Sequence, residues 1–219
     1  MPIAVNKDQK RKAIVIAAAD VFALTGYHVA TIQEIATHAG IGKGTVYEYF
    51  TSKEELFLAV YDDWMSEYEQ TIRERVISAE DTLSKIDAIR DSTVEFYQSR
   101  AAQAPLLLEF WAHALRTNNP LFLERINSTR AFLHSLGTSL TTEMVQGGWF
   151  TQLDTQAFAI LESGINDGIF LAWVLDGQKF ALDKAYKFRQ SLIGLGMLTN
   201  EARSVVKEKL ATRLRKGLK

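Results

Sequence analysis

The sequence predicts an all-α protein, and three observations lead to this fold class. Along most of the 219 residues, apolar side chains recur every three or four positions, which is the spacing of one helix face. Strict alternation of apolar and polar residues, the pattern of a half-buried strand, is missing from the chain. Capping residues, glycines and prolines divide the sequence into segments of helical length. We therefore expect helices joined by short turns.

The segment from Thr31 to Lys53, TIQEIATHAGIGKGTVYEYFTSK, predicts two short helices joined by a tight turn. Thr31 and Glu34 form the capping-box pattern, which satisfies two free amides at a helix start. A glycine on either side of Ile41 lets the backbone turn sharply while the isoleucine anchors the turn in the core. The chain then restarts as KGTVYEYF, whose exposed donors and rings suit a phosphate-lined groove. Spacing and composition together predict a helix-turn-helix.

Further helices follow from the same signals on both sides of this motif. A first helix is expected over about residues 10–24, and a long helix begins near Lys53 and continues to about residue 79. Five more helices are expected at about 81–104, 105–116, 120–146, 155–175 and 182–198. Because the long helix leaves the N-terminal unit, we predict an N-terminal domain of residues 1–53 and a C-terminal helical domain of residues 54–219.

Composition excludes several classes of function. The chain has no cysteine, so disulfide frameworks, thiolate catalysis and cysteine zinc sites are ruled out. Its four histidines are scattered, and the HExxH, GxSxG and phosphate-loop motifs of common enzymes are absent from the sequence. We expect no metal, no cofactor and no enzymatic activity. A chain without cysteine fits a reducing compartment, and we expect a cytoplasmic location.

Charge is distributed unevenly, although the formal net charge of the chain is only −1. Residues 1–53 carry +2 and residues 201–219 carry +5, which leaves −8 for the middle of the chain. An acidic body with less acidic ends can orient a protein on a polyanion, but +2 alone does not predict nucleic-acid binding. Charge is therefore compatible with DNA binding without requiring it.

Two seven-residue apolar segments are too short to cross a membrane. Residues 13–19 (AIVIAAA) follow basic residues in the manner of a signal peptide, but Asp20 interrupts them and the segment continues as one face of an amphipathic helix. Residues 169–175 are also far below the roughly 20 residues that a span requires. We expect no membrane-crossing segment.

The segment predicted as the penultimate helix carries small residues on one ridge. Gly164, Gly168 and Ala172 lie four residues apart, and small residues let another helix approach closely. Glycine costs a helix roughly 0.8 to 1 kcal/mol relative to alanine, so two of them favour a packing role. With Leu192 and Leu195 of the last helix, they form a candidate dimer interface of four helices. Burial of both helices in the monomer core is the alternative.

Short motifs in the first 56 residues carry a family resemblance. They are TGY at 25–27, TIxxIA at 31–36, AGI at 39–41, KGTVYxYF at 43–50 and SKEEL at 52–56. On these motifs the chain resembles the TetR family of transcriptional regulators. The resemblance implies an all-helical homodimer that binds DNA through its second and third helices, dimerises through its last two long helices and holds an effector in its C-terminal body. Beyond residue 56, the similarity extends only to the number and length of the helices.

The resemblance also assigns DNA contacts to individual residues. It implies phosphate contacts for Thr31, Tyr49 and Lys53, base and backbone contacts for Lys43 and Thr45, and additional contacts for Gln33 and Tyr47. Two residues depart from the family's pattern. Gly42 stands where serine is frequent, and Glu48 places an acid on the recognition helix, where it reads a cytosine amino group or repels phosphate. The alternative is that the tyrosines and Thr45 only stabilise a small three-helix unit.

The body contains many aromatic residues, and most are expected to be ordinary core. The effector-binding candidates are aromatic and polar residues on helices that the resemblance places around the cavity: Trp64, Tyr97, Phe110, Trp111, His113 and Asp167. Each has a structural alternative, as part of the core or as a satisfied surface group. The set favours a small, largely apolar effector. The resemblance implies that the effector shifts the helix at 105–116 and thereby separates the two recognition helices of the dimer.

These expectations describe a ligand-responsive transcriptional regulator that acts as a repressor on a palindromic operator. Its expected partners are double-stranded operator DNA, a small-molecule effector and a second copy of the chain, with no membrane. The alternative is a helical interaction protein that has lost DNA binding, which is supported only by Glu48 and the small N-terminal charge. A steep salt dependence of binding to the chain's own upstream DNA distinguishes the two, because it reports counterion release from phosphates.

Overall fold

The computed structural model describes residues 7–204, and this part of the chain is helical throughout. The helices are α1 (Lys7–Thr25), α2 (Ile32–His38), α3 (Lys43–Tyr47), α4 (Lys53–Ser78), α5 (Thr82–Ser99), α6 (Ala104–Thr117), α7 (Pro120–Gln146), α8 (Thr155–Leu175) and α9 (Leu182–Met197). The described residues contain no β-strand, and one isolated antiparallel bridge pairs Phe150 with Leu198. The predicted all-α fold class is confirmed.

The helix boundaries differ from the prediction in two places. First, α1 includes Lys7, so the helix begins about three residues before the expected start. Second, α5 ends at Ser99, and a 3-10 turn over Ala101–Gln103 leads into α6. Pro105 lies in the first turn of α6, where its missing N–H costs nothing, but a continuous helix through this position would lose a hydrogen bond and clash. The chain therefore turns here, using a short 3-10 segment.

The described chain forms two compact units. The first contains residues 7–71 and 96–129, and the second contains residues 72–95 and 130–204. The first unit thus holds α1 to α3, most of α4, α6 and the start of α7. The second holds the end of α4, nearly all of α5, the rest of α7, α8 and α9. These units are defined by how compactly the chain packs and do not test the predicted functional boundary between residues 53 and 54, which stays a prediction.

Aromatic rings form the centre of the first unit. Phe57 of α4 stacks on Tyr27 with 4.3 Å between the ring centroids and lies 5.3 Å from Phe110 of α6. Phe110 in turn lies 4.8 Å from Phe122 at the start of α7. Phe22 of α1 is 5.3 Å from Phe57 in an edge-on arrangement. Such ring pairs contribute about 0.5–1.5 kcal/mol each beyond their buried area, so this cluster holds α1, α4, α6 and α7 together.

The second unit packs α8 against α9 through a smaller apolar core. Phe170 and Trp173 of α8 and Leu182 and Tyr186 of α9 are all buried. Asp154 caps α8 as predicted, because its carboxylate accepts hydrogen bonds from the N–H groups of the first turn at 3.0 and 2.9 Å. The opposite face of this helix pair carries large apolar side chains that are exposed in the protomer.

One helix of the described chain, α8, is long and apolar enough to meet the length and composition criteria for a membrane span. Only 17% of its apolar 18-residue segment is buried in the protomer. The apolar segment 169–175 considered above is its C-terminal third. Soluble proteins also contain helices with this composition, so length and hydropathy by themselves give α8 little weight as a membrane span.

Candidate DNA-binding interface and effector-site residues

The start of α2 has the predicted capping box. The Thr31 hydroxyl oxygen accepts a hydrogen bond from the Glu34 N–H at 3.2 Å, and Oε2 of Glu34 accepts one from the Thr31 N–H at 2.8 Å. The Thr31 side-chain and backbone donors hold the pKa of the Glu34 carboxyl below its usual value. The direction in which α2 leaves the preceding loop is therefore fixed by Thr31 and Glu34.

The turn between α2 and α3 depends on glycine at one position. Gly40 has a φ of +67°, a left-handed conformation that side chains rarely adopt, and the Ile41 N–H then donates to the Ala36 carbonyl at 3.0 Å. Gly42 precedes α3 in an extended conformation and supplies no side-chain cap. The departure noted at Gly42 thus leaves the first turn of α3 without a capping hydroxyl.

The exposed face of α3 carries much of the predicted DNA-contact set. Lys43, Gly44, Tyr47 and Glu48 are exposed, whereas Val46 is fully buried and anchors the helix. The Lys43 ammonium lies 5.9 Å from the centroid of the Tyr47 ring. A Cβ atom added to Gly44 would meet nothing within 4 Å, so the protein leaves this face open.

The other predicted contacts lie at the edges of this face. Thr45 and Tyr49 are half-buried on and just after α3, and Thr31 and Gln33 are exposed at the start of α2. Gln33 is held only by a long contact of 3.5 Å from its Nε2 to the Thr37 hydroxyl. All seven predicted residues are therefore exposed or half-buried, and they differ in how far the rest of the protein already binds them.

Lys53, the seventh predicted contact, is bound within the protein. Its ammonium donates to the carbonyl oxygens of Tyr27 at 2.7 Å, His28 at 3.1 Å and Ala30 at 2.9 Å. It also lies 4.8 Å from the centroid of the Tyr27 ring. This arrangement was not anticipated from the sequence, because the three carbonyls lie 23 to 26 residues away along the chain.

Tyr27 is held from α6 as well. Its N–H lies 3.1 Å from both carboxylate oxygens of Glu109, and burial, reinforced by the Glu54 and Glu109 carboxylates, raises the pKa of its phenol. Nε2 of His113 lies 3.2 Å from Oε1 of Glu54 in the first turn of α4. Sequence reasoning did not identify Glu109 as an anchor, because a contact spanning 82 residues leaves no local signal.

The six effector candidates are divided between the two units. Trp64, Tyr97, Phe110, Trp111 and His113 fall in the first unit, whereas Asp167 falls in the second, where Nη1 of Arg130 lies 2.6 Å from its carboxylate. Phe110 and His113 belong to the aromatic cluster, and Trp64 is also buried. Tyr97 and Trp111 are half-buried. An effector role for the six remains a prediction.

The candidate dimer residues lie on an exposed face of α8 and α9. Leu192 and Leu195 are 62% and 54% exposed, and Ala172 is also exposed. Cβ atoms added to Gly164 and Gly168 would meet nothing within 4 Å, so neither glycine is required by packing within the protomer. Other large apolar residues on the two helices are exposed as well: Ile160, Leu161, Leu171, Leu175 and Phe188. We call this surface the α8/α9 face.

Comparison with known proteins agrees with the class that this geometry defines, a helix-turn-helix regulator. Residues 14–60 match the family model of bacterial regulatory proteins, tetR family. The fatty acid metabolism regulator protein of Bacillus subtilis is 26% identical over 182 residues, which cover 81% of this chain and 90% of the relative. Residues 14–60 therefore carry a DNA-binding domain of the tetR type, and the relatives that the chain matches over most of its length are transcriptional regulators rather than enzymes.

Two solved structures extend the similarity to the whole fold. The fatty acid degradation regulator FadR of Bacillus halodurans is 26% identical, with a TM-score of 0.72 over 84% of this chain and 93% of that one. FadR of Bacillus subtilis, solved in complex with stearoyl-CoA, is 23% identical, with a TM-score of 0.74 over 85% of this chain and 98% of that one. At that identity the second comparison supports the fold alone.

Proposed function

We propose that this regulator is a homodimeric repressor that binds a palindromic operator and is released by a largely apolar effector. The observation that carries the proposal is the exposed α3 face, in which a buried Val46 anchors a short helix whose outer side chains have few partners in the protein. A recognition helix of this kind enters the major groove, where its outer residues contact base edges and phosphates. A cytoplasmic location follows from DNA binding.

The proposed DNA contacts are the six residues around the helix-turn-helix: Thr31, Gln33, Lys43, Thr45, Tyr47 and Tyr49. Their exposure supports this role, because none of them is confined to the core. The hydroxyls and the lysine ammonium are suited to phosphate oxygens, and Gln33 and Lys43 can also donate to base edges. The functional division at residues 53 and 54 separates these residues from the proposed effector and dimer elements.

The α8/α9 face supports the proposed homodimer. A monomeric protein rarely exposes so many large apolar side chains on adjacent helices, and such a surface usually marks an interface. The open space at Gly164 and Gly168 permits a partner helix to approach closely. An isologous dimer through this face would present two recognition helices to two half-sites about 34 to 36 Å apart, or a multiple of that distance.

We propose a long-chain acyl-CoA as the effector. The chain is similar over most of its length to a fatty acid metabolism regulator and to a fatty acid degradation regulator, each 26% identical. Stearoyl-CoA, the ligand in the Bacillus subtilis FadR structure, is therefore the compound to test. An acyl chain satisfies the expectation of a largely apolar effector, while the CoA group adds phosphates. Effector binding is expected to displace α6, which contacts the start of α4 through His113 and Glu54.

A DNA-selection experiment tests the proposed function. Purified protein should enrich specific genomic fragments. Thr45→Ala and Tyr49→Phe should each weaken dimer binding to the selected site about a hundredfold, because each half-site loses a hydrogen bond to a charged group that contributes about 1.5 kcal/mol. Binding would be measured by fluorescence anisotropy, and helicity by circular dichroism. Thr71→Ala is the matched control, because the Thr71 hydroxyl only donates to the Glu67 carbonyl of its own helix. Unchanged affinity in both variants would refute the assigned contacts.

The effector proposal predicts linked changes in stability and DNA binding. Stearoyl-CoA at about 100 times its dissociation constant should stabilise the protein by about 2.7 kcal/mol, seen as a raised melting temperature, and should release the selected DNA. By reciprocity, bound DNA should weaken stearoyl-CoA binding by the same factor. Free CoA at the same concentration serves as the control for the nucleotide part. Full DNA affinity with saturating stearoyl-CoA would exclude acyl-CoA as the inducer.

A further inference from the structure

The loop at residues 26–30, which we call the α1–α2 corner, is held by hydrogen bonds from the Lys53 side chain. Three carbonyl oxygens of the corner, those of Tyr27, His28 and Ala30, converge on the Lys53 ammonium at 2.7 to 3.1 Å. An ammonium group has three N–H donors, so all of them are accounted for by these three bonds. The position over the Tyr27 ring adds a cation–π contact on the same side chain.

The conformation of the corner depends on Lys53, because three of its carbonyl groups point toward the Lys53 ammonium. Gly26 has a φ of +79°, which turns the chain out of α1, and the Ala30 N–H donates back to the Gly26 carbonyl at 3.1 Å. The carbonyls of Tyr27 and Ala30 bond to Lys53 in a partly buried environment, where an unsatisfied polar group is costly. Glu109 holds the N–H side of Tyr27, so the same residue is held on both sides of its backbone.

The corner sets the direction of the helix-turn-helix. Ala30 is followed directly by Thr31, the N-cap of α2, and α2 leads through the Gly40 turn to α3. A change in the corner would therefore be transmitted to the proposed recognition helix without any change in its own residues. Lys53 is the first residue of α4, so it ties the start of that helix to the start of α2.

We propose that Lys53 is a positioning residue of the helix-turn-helix, which orders the α1–α2 corner, and that it does not bind a DNA phosphate. This rests on the proposed DNA-binding function. A phosphate contact would require the ammonium to give up at least one of its three carbonyls. Substitution of Lys53 should then reduce specific DNA binding without removing a counterion-releasing contact.

The salt dependence of DNA binding separates the two roles. Each lost phosphate contact reduces the slope of log affinity against log salt by about 0.9, or about 1.8 for a dimer. We expect Lys53→Met to lower affinity for the selected DNA about tenfold, because the α1–α2 corner loses its hydrogen bonds to a charged donor. The slope should be unchanged, because these bonds lie inside the protein and no phosphate contact is removed. Lys43→Met, in contrast, should reduce the slope, because this exposed lysine belongs to the proposed phosphate-facing surface. A reduced slope for Lys53→Met would overturn the proposal.

Two further measurements distinguish positioning from a loss of folded protein. Lys53→Met should keep its affinity for poly(dI-dC) while losing affinity for the selected site, whereas partial unfolding would lower both equally. Lys53→Arg retains a cation that binds phosphate well, but its planar fork does not reproduce three convergent donors, so its specific affinity should also fall. Wild-type affinity for the arginine variant would contradict the proposal. Absence of specific binding by the wild type would instead refute the proposed function.

Discussion

Replacing Arg189 by methionine is expected to lower the free energy of unfolding by about 3 kcal/mol at neutral pH, because breaking a buried ion pair leaves an uncompensated charge. Nη1 of Arg189 lies 2.8 Å from Oε2 of Glu162 and 2.8 Å from Oδ1 of Asn166, so α9 is tied to α8 at this point. The Arg189 and Glu162 side chains are only 11% and 26% exposed. Breaking a buried ion pair costs about 3 to 5 kcal/mol, and we expect the lower end of this range because Glu162 retains some contact with water.

The loss of unfolding free energy in Arg189→Met should be larger at neutral pH than at acidic pH. Burial raises the pKa of the Glu162 carboxyl, and the Arg189 guanidinium opposes this effect. A folded-state pKa above the unfolded value of about 4.3 means that the folded protein binds more protons, so the stability associated with this group is lost as pH rises through the folded pKa. Without Arg189 the pKa should rise further. The deficit of the variant should therefore be largest at pH 7 and shrink as pH falls toward the unfolded value.

Urea unfolding at fixed protein concentration measures the loss of unfolding free energy. Two other variants test whether the loss comes from the buried ion pair. Lys187→Met breaks an exposed pair with Asp183 on the same helix, 3.4 Å apart, and should cost no more than about 0.5 kcal/mol. The double variant Glu162→Gln with Arg189→Met should recover part of the loss, because no charge is left unpaired. Additive effects of the two substitutions, or a deficit that does not vary with pH, would contradict the assigned ion-pair effect.

Local signals predicted the helix-turn-helix because the interactions that form it are local. Thr31 and Glu34 are three residues apart, and the Gly40 conformation depends on its immediate neighbours. For the same reason, Ser52, one of two hydroxyl residues before α4, accepts a hydrogen bond from the Glu55 N–H at 3.0 Å. Capping and turn geometry involve backbone groups within one turn, so residue order is sufficient to identify them.

The roles of Lys53 and Glu109 could not be predicted in this way. A lysine at the start of α4 has the same local pattern whether it binds a phosphate or three carbonyls of a preceding loop. The Glu109 contact with Tyr27 requires the aromatic cluster to bring α6 against the α1–α2 corner. The same limit applies to Phe110, since apolar spacing predicts that a ring faces inward but not whether it meets another ring or an effector.

Replacing Leu192 by glutamate is expected to abolish the proposed dimer and reduce operator affinity by at least about a hundredfold, because linked half-site binding gains 10²- to 10⁴-fold in avidity. Leu192 is 62% exposed on the α8/α9 face, close in sequence to Leu195 on the same helix. In an isologous interface, the substitution would bury two carboxylates, one from each protomer, in apolar surroundings. Sedimentation equilibrium would report the mass, and fluorescence anisotropy the affinity for the selected DNA.

A second substitution controls for adding a carboxylate to an exposed apolar position. Ile77→Glu introduces the same carboxylate at a leucine-sized apolar residue of α4 that is 84% exposed and lies off the α8/α9 face. This variant should remain dimeric and retain its operator affinity, since its side chain contributes no interface in the proposal. Because Gly168 is open in the protomer, Gly168→Leu should separate the subunits by steric overlap without adding charge. A dimeric Leu192→Glu protein would place the interface elsewhere and leave the exposed α8/α9 face for another partner.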